Sequence, residues 1–233
     1  MKKKLLIIST STIHGKPYLE YLFDEIKGFF IGVTEIIFIP YARPSGMTHD
    51  EYTAAAREKF EMIGIKVKGI HEFNDPVKAI ENAQGVFTGG GNSFVLIDEL
   101  LKNGLIDPMR KRIGSGMSYM GTSAGSNVTG PTIGTTNDMP IVYPTTFEAL
   151  NVIPWNINPH YLDPDPDSKH KGETRQTRIE EFLVFNDIKV VGLREGSWLR
   201  FENGEVTLKG PLTARIFIQG KEPFEYKPGK FKL

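Results

Sequence analysis

The sequence predicts an α/β fold: a mostly parallel, twisted sheet with helices on both faces, and additional strands and hairpins near the C-terminus. Three observations predict it. Short β-branched runs, mostly apolar and too brief for helices, alternate with longer stretches of helical period, the pattern of parallel strands buried on both faces. Two of the helical stretches carry recognisable start and stop residues. From about Ile188 the pattern changes to strands spaced closely by turns.

Taken in order, the strands are LLIIS (Leu5 to Ser9), EIIFIP (Glu35 to Pro40), IKVKGI (Ile65 to Ile70), GVFTGG (Gly85 to Gly90) and MSYMG (Met117 to Gly121). Helices fill the gaps. THDEYTAAAREKFEMIG opens on Thr48 as N-cap with Glu51 three residues on, and closes at Gly64. NDPVKAIENA repeats the logic, with Asp75 as cap and Pro76 at the first helical position. Leu162 to Glu173, rich in proline and charge, reads as an exposed loop and leads into a helix. After it, IKVVGL, SWLRF, GEVTLKG and ARIFIQG read as sheet edge and hairpins, with a turn at Glu202-Asn203-Gly204. No repeat, linker or composition break divides the 233 residues, so one domain spanning 1–233 is expected.

Composition narrows the chemistry. Lysine plus arginine and aspartate plus glutamate number 28 each, so no net field steers the chain toward nucleic acid or an anionic membrane. Without cysteine there is no disulfide framework, thiolate nucleophile or cysteine-based zinc site. The apolar run in MKKKLLIIST is too short for a signal peptide, and nothing approaches the ~20 residues of a membrane span. A soluble, cytoplasmic protein with a small-molecule or peptide partner is the expectation.

Gly121-Thr122-Ser123-Ala124-Gly125 matches G-x-S-x-G where a strand meets a helix. Such a turn needs small residues flanking the serine, whose hydroxyl then stands above the sheet with the Ala124 N–H beside it. By itself the pentad is better read as a plain helix-capping turn, since the five-residue pattern is common by chance. A second feature is Gly89-Gly90-Gly91-Asn92, also between a strand and a helix. Three consecutive glycines mark positive φ or close backbone approach, and the Gly90 or Gly91 N–H could complete an oxyanion hole with Ala124. The segment lacks the G-x-G-x-x-G spacing and the P-loop lysine of nucleotide sites.

Among five histidines, His14, His49 and His71 precede the elbow, and His170 sits in the charged loop. His160 lies in NVIPWNINPHYL, where Pro154 and Pro159 stiffen an apolar segment, so it is the candidate base, with a satisfied core histidine as the alternative. For the orienting acid, Asp138 stands between Ser123 and His160 in sequence, and Glu195 follows a buried strand; Asp138 is placed narrowly ahead. Arg175 and Arg178, three apart on one helix face, are candidates for binding a substrate carboxylate, or for pairing with Glu173, Glu180 or Glu181.

Together these residues resemble the peptidase E family of aspartyl dipeptidases. The similarity runs nearly end to end, through STSTIHGKPYLE, DEYTAAA, GGGNSF, GTSAGSN, PTIGTTNDMPIV, LNVIPWNINPHY, HKGETRQTRIEEFL and GLREGSW. It implies a flavodoxin-like sheet related to class I glutamine amidotransferases and a metal-free, cofactor-free serine peptidase that cleaves dipeptides with an N-terminal aspartate. It implies Ser123 as nucleophile, His160 as base and Asp138 as acid, with Glu195 as the alternative, and Asn92 lies in the GGGNSF segment on the substrate side. A cyanophycinase-like β-aspartyl peptidase and a non-catalytic binder of acidic molecules are the competing readings. Nucleic acid and membrane are not expected partners, and the active form is expected to be a monomer or homodimer.

Overall fold

The computed structural model describes residues 3–165, 167, 169 and 172–233. His170, read as a solvated loop histidine, lies outside the described residues. In chain order the elements are β1 (Lys4–Ile8), α1 (Phe23–Phe29), β2 (Glu35–Ile39), α2 (His49–Glu61), β3 (Lys66–Gly69), α3 (Pro76–Asn82), β4 (Gly85–Thr88), α4 (Ser93–Lys102), α5 (Ile106–Gly114), β5 (Ser118–Thr122) and α6 (Ala124–Asn127). They continue with β6 (Asn156–Pro159), α7 (Arg175–Phe185), β7 (Val190–Leu193), β8 (Trp198–Glu202), β9 (Glu205–Lys209), β10 (Ala214–Phe217), β11 (Phe224–Tyr226) and β12 (Gly229–Lys230).

Eight strands form one sheet in the order β12-β9-β8-β1-β5-β4-β2-β3. The five from β1 to β3 in that order run parallel, and β8, β9 and β12 extend the sheet antiparallel beyond β1. Because successive strand residues face opposite ways, the apolar run of β1 supplies both cores. Leu5 and Ile7 pack with α3, α4 and α5, whereas Leu6 and Ile8 pack with α1 and α2. β3 is the edge, and its exposed Lys66 and Lys68 alternate with buried Val67, which keeps the edge soluble.

Local chemistry sets the helix ends. Thr48 and Glu51 form a reciprocal capping box on α2, and Asp75 accepts from Lys78 N–H at the start of α3 with Pro76 in its first turn. Gly64, beyond the end of α2, takes φ +77°.

The C-terminal third is more than sheet edge and hairpins. β8 and β9 are the expected hairpin, with Asn203 and Gly204 both at positive φ. β7 and β10 instead join β6 and β11 in a second sheet, ordered β11-β10-β7-β6, in which β6 and β7 are parallel. An apolar run states that a strand is buried but not which strand it pairs with, so this sheet was not visible in the sequence. One apolar cluster runs through both sheets, from Leu5 and Val86 to Ile157, Val191 and Ile216.

Candidate active site

Ser123 leaves the end of β5 with φ +52° and ψ −112°, outside the ordinary regions for a side-chain-bearing residue, and α6 starts at the next residue. The flanking glycines make the bend possible. A Cβ on Gly121 would lie 2.2 Å from the Gly125 carbonyl oxygen, and one on Gly125 would lie 2.2 Å from that of Thr88. Ser123 N–H donates to Ile8 O at 3.1 Å, fixing the turn to the end of β1.

The glycine run after β4 lies directly against this serine, since a Cβ on Gly90 would be 2.9 Å from Ser123 Cβ. Three of its four N–H groups are already used. Gly89 donates to Ile39 O at 3.1 Å, Asn92 to Ala42 O at 2.7 Å, and Gly90 to the buried Tyr52 hydroxyl at 3.0 Å. This corrects the expectation for Gly90, whose N–H is spent on Tyr52, a residue of the DEYTAAA segment that was given no role in the site. Gly91, at φ +147° and pressed against the Ala42 carbonyl, has an N–H with no acceptor among the described residues, and so has Ala124. Asn92 is also displaced from its expected role. Its Oδ1 caps α4 by accepting from Phe94 and Val95 N–H at 3.0 and 3.1 Å, and its Nδ2 donates to Met139 O at 2.9 Å.

His160 follows β6, and register places it. Pro159 of β6 pairs with Leu193 of β7, so the residues just past these two parallel strands emerge side by side. The His160 backbone takes φ +52°, and its N–H donates to the buried Ser9 hydroxyl at 2.9 Å. Its ring lies between two partners: Nε2 is 2.8 Å from Ser123 Oγ, and Nδ1 is 2.7 Å from Glu195 Oε1. With the proton on Nδ1 directed to Glu195, Nε2 is left to accept from the serine hydroxyl. The Glu195 side chain is 55% exposed and that of His160 32%.

Asp138 does not reach this histidine. Its Oδ2 accepts from Ser93 N–H at 2.7 Å and Thr136 Oγ1 at 2.8 Å, so it serves the N-terminus of α4, where a carboxylate satisfies free N–H groups. The order of the two acids is therefore reversed in the geometry. Asp138's neighbour Asn137 supports the histidine segment, donating to Pro159 O at 2.8 Å and accepting from Asn158 Nδ2 at 2.9 Å.

Beside the ring lies a cavity of about 290 Å³ lined by His160, Tyr161, Leu162, Asp163, Arg175, Arg194, Glu195 and Leu212. Two arginines face it in different states. Arg194 is saturated: it grips Asp163 through Nε and Nη2 at 2.8 and 2.7 Å and also donates to Glu225. Arg175 is not. Its Nη1 is buried without a partner among the described residues, and burial pulls its pKa below the usual arginine value despite the opposing charges of Glu195 and Asp138. Arg178, the other candidate, points to Glu173 at 3.6 Å on the exposed side of α7. A hydroxyl, an imidazole and a carboxylate in line, with two N–H groups and a guanidinium nitrogen that lack partners among the described residues, can perform acyl transfer on an anionic substrate.

Residues 5–209 match the sequence model of peptidase family S51. The chain belongs to this family. As an S51 member it is a serine-type peptidase, a hydrolase. Relatives agree over nearly the whole length: peptidase E of Streptomyces coelicolor is 49% identical across 97% of this chain and 91% of that protein. A Drosophila melanogaster protein named "Probable alpha-aspartyl dipeptidase" is 44% identical across 92% and 90%. The crystal structure of a peptidase from an acI-B1 actinobacterium superposes with a TM-score of 0.72 at 18% identity, covering 99% of this chain and 98% of that one, so the S51 chain shares its fold. No helix among the described residues is long and apolar enough to cross a membrane.

Proposed function

We propose that this S51 chain is a dipeptidase that releases an N-terminal aspartate from Asp-X dipeptides through an acyl-enzyme on Ser123. The observation that carries the reading is the line from Ser123 Oγ through His160 to Glu195, with contacts of 2.8 and 2.7 Å, beside a cavity lined by Arg175, whose Nη1 has no partner among the described residues.

Ser123 Oγ attacks the peptide carbonyl while His160 Nε2 takes its proton. Glu195 accepts from Nδ1, holding the ring's orientation and offsetting the imidazolium charge. The oxyanion is bound by the N–H groups of Gly91 and Ala124, each donor worth roughly 3–4 kcal/mol in the transition state. His160 returns the proton to the departing amine, and water then hydrolyses the aspartyl ester with His160 again as base. Every step draws on side-chain and backbone groups of the protein. Arg175 pairs with the substrate's β-carboxylate, whose two oxygens match a planar guanidinium. The enzyme acts in the cytoplasm as a single domain, monomeric or homodimeric, on small peptides.

The test measures kcat/KM for Asp-Leu, Asn-Leu, Leu-Leu and β-Asp-Leu. Asp-Leu is expected to lead by a wide margin, because Asn-Leu and Leu-Leu leave the half-buried guanidinium unmatched, and β-Asp-Leu carries its free carboxylate on a different carbon relative to the scissile carbonyl. Ser123→Ala is expected to lose at least roughly 10³-fold while keeping its fold. Full turnover in that variant would remove the nucleophile, and preference for β-Asp-Leu would reassign the enzyme to β-aspartyl links.

A further inference from the structure

Ile8 and Ser9, consecutive residues at the carboxyl end of β1, hold the backbones of the two groups that must meet. Ile8 O accepts the Ser123 N–H at 3.1 Å, and Ile8 N–H donates to Ser126 Oγ at 2.9 Å, so the serine turn is tied to β1 on both sides of α6's first residues. Ser9 faces the other way. Its hydroxyl accepts the His160 N–H at 2.9 Å and donates to Leu193 O at 2.7 Å. Leu193 O in turn accepts the Tyr161 N–H at 3.1 Å. Ser9 is fully buried, and its own N–H is used on Ser197 O at 3.1 Å.

The contact joins two separate sheets. β1 and β5, which carries Ser123 at its end, belong to the eight-stranded sheet; β6 and β7, which carry His160 and Glu195 just past their ends, belong to the four-stranded one. Asn127 also crosses, donating to Ile157 O at 2.8 Å, and this fixes β6 but not the residue beyond its end. That residue, His160, sits at φ +52°, a conformation a histidine holds only where its surroundings over-determine it. The Ser9 hydroxyl is the group that binds the His160 amide in this conformation.

We propose that Ser9 is a positioning residue: its hydroxyl locks the left-handed turn at His160 to β1 and thereby keeps Nε2 within hydrogen-bond range of Ser123 Oγ across the join between the sheets. This rests on the reading of Ser123 and His160 as nucleophile and base. Without the hydroxyl, the His160 amide loses its acceptor beside the buried Ser9 and the turn relaxes, carrying the ring away from the serine. A displacement of about 1 Å in such a pair costs up to ~100-fold in rate.

The experiment compares Ser9→Ala, Ser9→Cys and Ser9→Thr with the parent enzyme, well below each variant's unfolding temperature. It reads kcat and KM on Asp-Leu and the rate at which a small fluorophosphonate labels Ser123. The alanine and cysteine variants are expected to lose roughly 10- to 100-fold in kcat with KM within about twofold, and labelling should slow by the same factor. Ser9→Thr keeps the hydroxyl and is expected to recover most of the rate. Should the alanine variant not fold, the cysteine variant, close to serine in volume, carries the comparison. A folded alanine or cysteine variant with parental kcat and labelling would overturn the proposal, whatever its loss of thermal stability. Failure of the underlying reading shows differently, as undiminished turnover by Ser123→Ala.

Discussion

At the scale of single residues, His160 separates two carboxylates that the sequence could rank only narrowly. Chain order favoured Asp138, but a hydrogen bond depends on where strand ends emerge, and β6 and β7 bring Glu195 to the imidazole while Asp138 caps α4. A fully buried triad carboxylate is worth on the order of 10⁴ in kcat. Glu195 is half exposed, so water shares its work, and Glu195→Gln is expected to cost roughly 10²-fold in kcat. Asp138→Asn keeps an acceptor for Ser93 N–H but drops the charge at the helix end. It should change kcat less than about threefold and lower stability by ~0.3–1 kcal/mol in thermal or denaturant unfolding. A large rate loss confined to the Asp138 variant would restore the order expected from the sequence. Arg175 was named beside Arg178 from their spacing on one helix face, and burial, the cavity beside Arg175 and the pairing of Arg178 with Glu173 distinguish them. Arg175→Gln is expected to reduce kcat/KM on Asp-Leu by roughly 10- to 150-fold, the worth of a charged hydrogen bond, and Arg178→Gln to leave it nearly unchanged. Equal losses in a side-by-side assay would contradict the assignment.

At the scale of elements, the parts most legible in the sequence are those governed by near neighbours. The capping box of α2, the Asp75-Pro76 start of α3 and the Asn203-Gly204 hairpin are all decided within a few residues, and all appear where the residues put them. The serine turn belongs to this class only in part, since Gly121 meets its neighbour Gly125 while Gly125 meets the distant Thr88. Its glycines are required by approaches of 2.2 Å to backbone carbonyls, which cannot retreat as a flexible side chain could. Gly121→Ala is therefore expected to destabilise the protein by at least roughly 1–3 kcal/mol and to abolish turnover, measured by denaturant unfolding and on Asp-Leu. An alanine variant of parental stability would show that the turn is looser than these distances imply. The glycine run after β4 was legible as a close approach, but its division of labour was not. Gly90 and Gly91 look alike in sequence, and the Tyr52 hydroxyl arriving from α2 decides which N–H stays free.

At the scale of the whole molecule, Ser123, His160 and Glu195 lie where separate strands end, and an arginine-centred charge cluster braces the same region. Arg194, from the segment after β7, joins Asp163 to Glu225 on β11. Burial acts to raise the Glu225 carboxyl, but hydrogen bonds from Arg194 and Thr213 outweigh it and bring its pKa from the usual 4.5 down to about 2. A carboxylate depressed in the folded state adds stability above its unfolded pKa and loses it as the pH falls toward the folded one. The stability gap between the parent and Glu225→Gln should thus be full above about pH 5 and close toward pH 2, as read from denaturant midpoints across that range. A gap independent of pH would remove Glu225 from the acid response. The local and periodic features followed from the residues alone: buried parallel strands, their helices, the capped ends and the serine bend, because each depends chiefly on residues within a turn or two of one another. Contacts between distant segments were settled only by folding: Glu195 rather than Asp138 at the imidazole, the Tyr52 hydroxyl on Gly90 rather than Gly91, Arg175 half buried while Arg178 turns to Glu173, and the second sheet that presents His160. Those depend on strand pairing and burial, long-range contacts that no local pattern encodes.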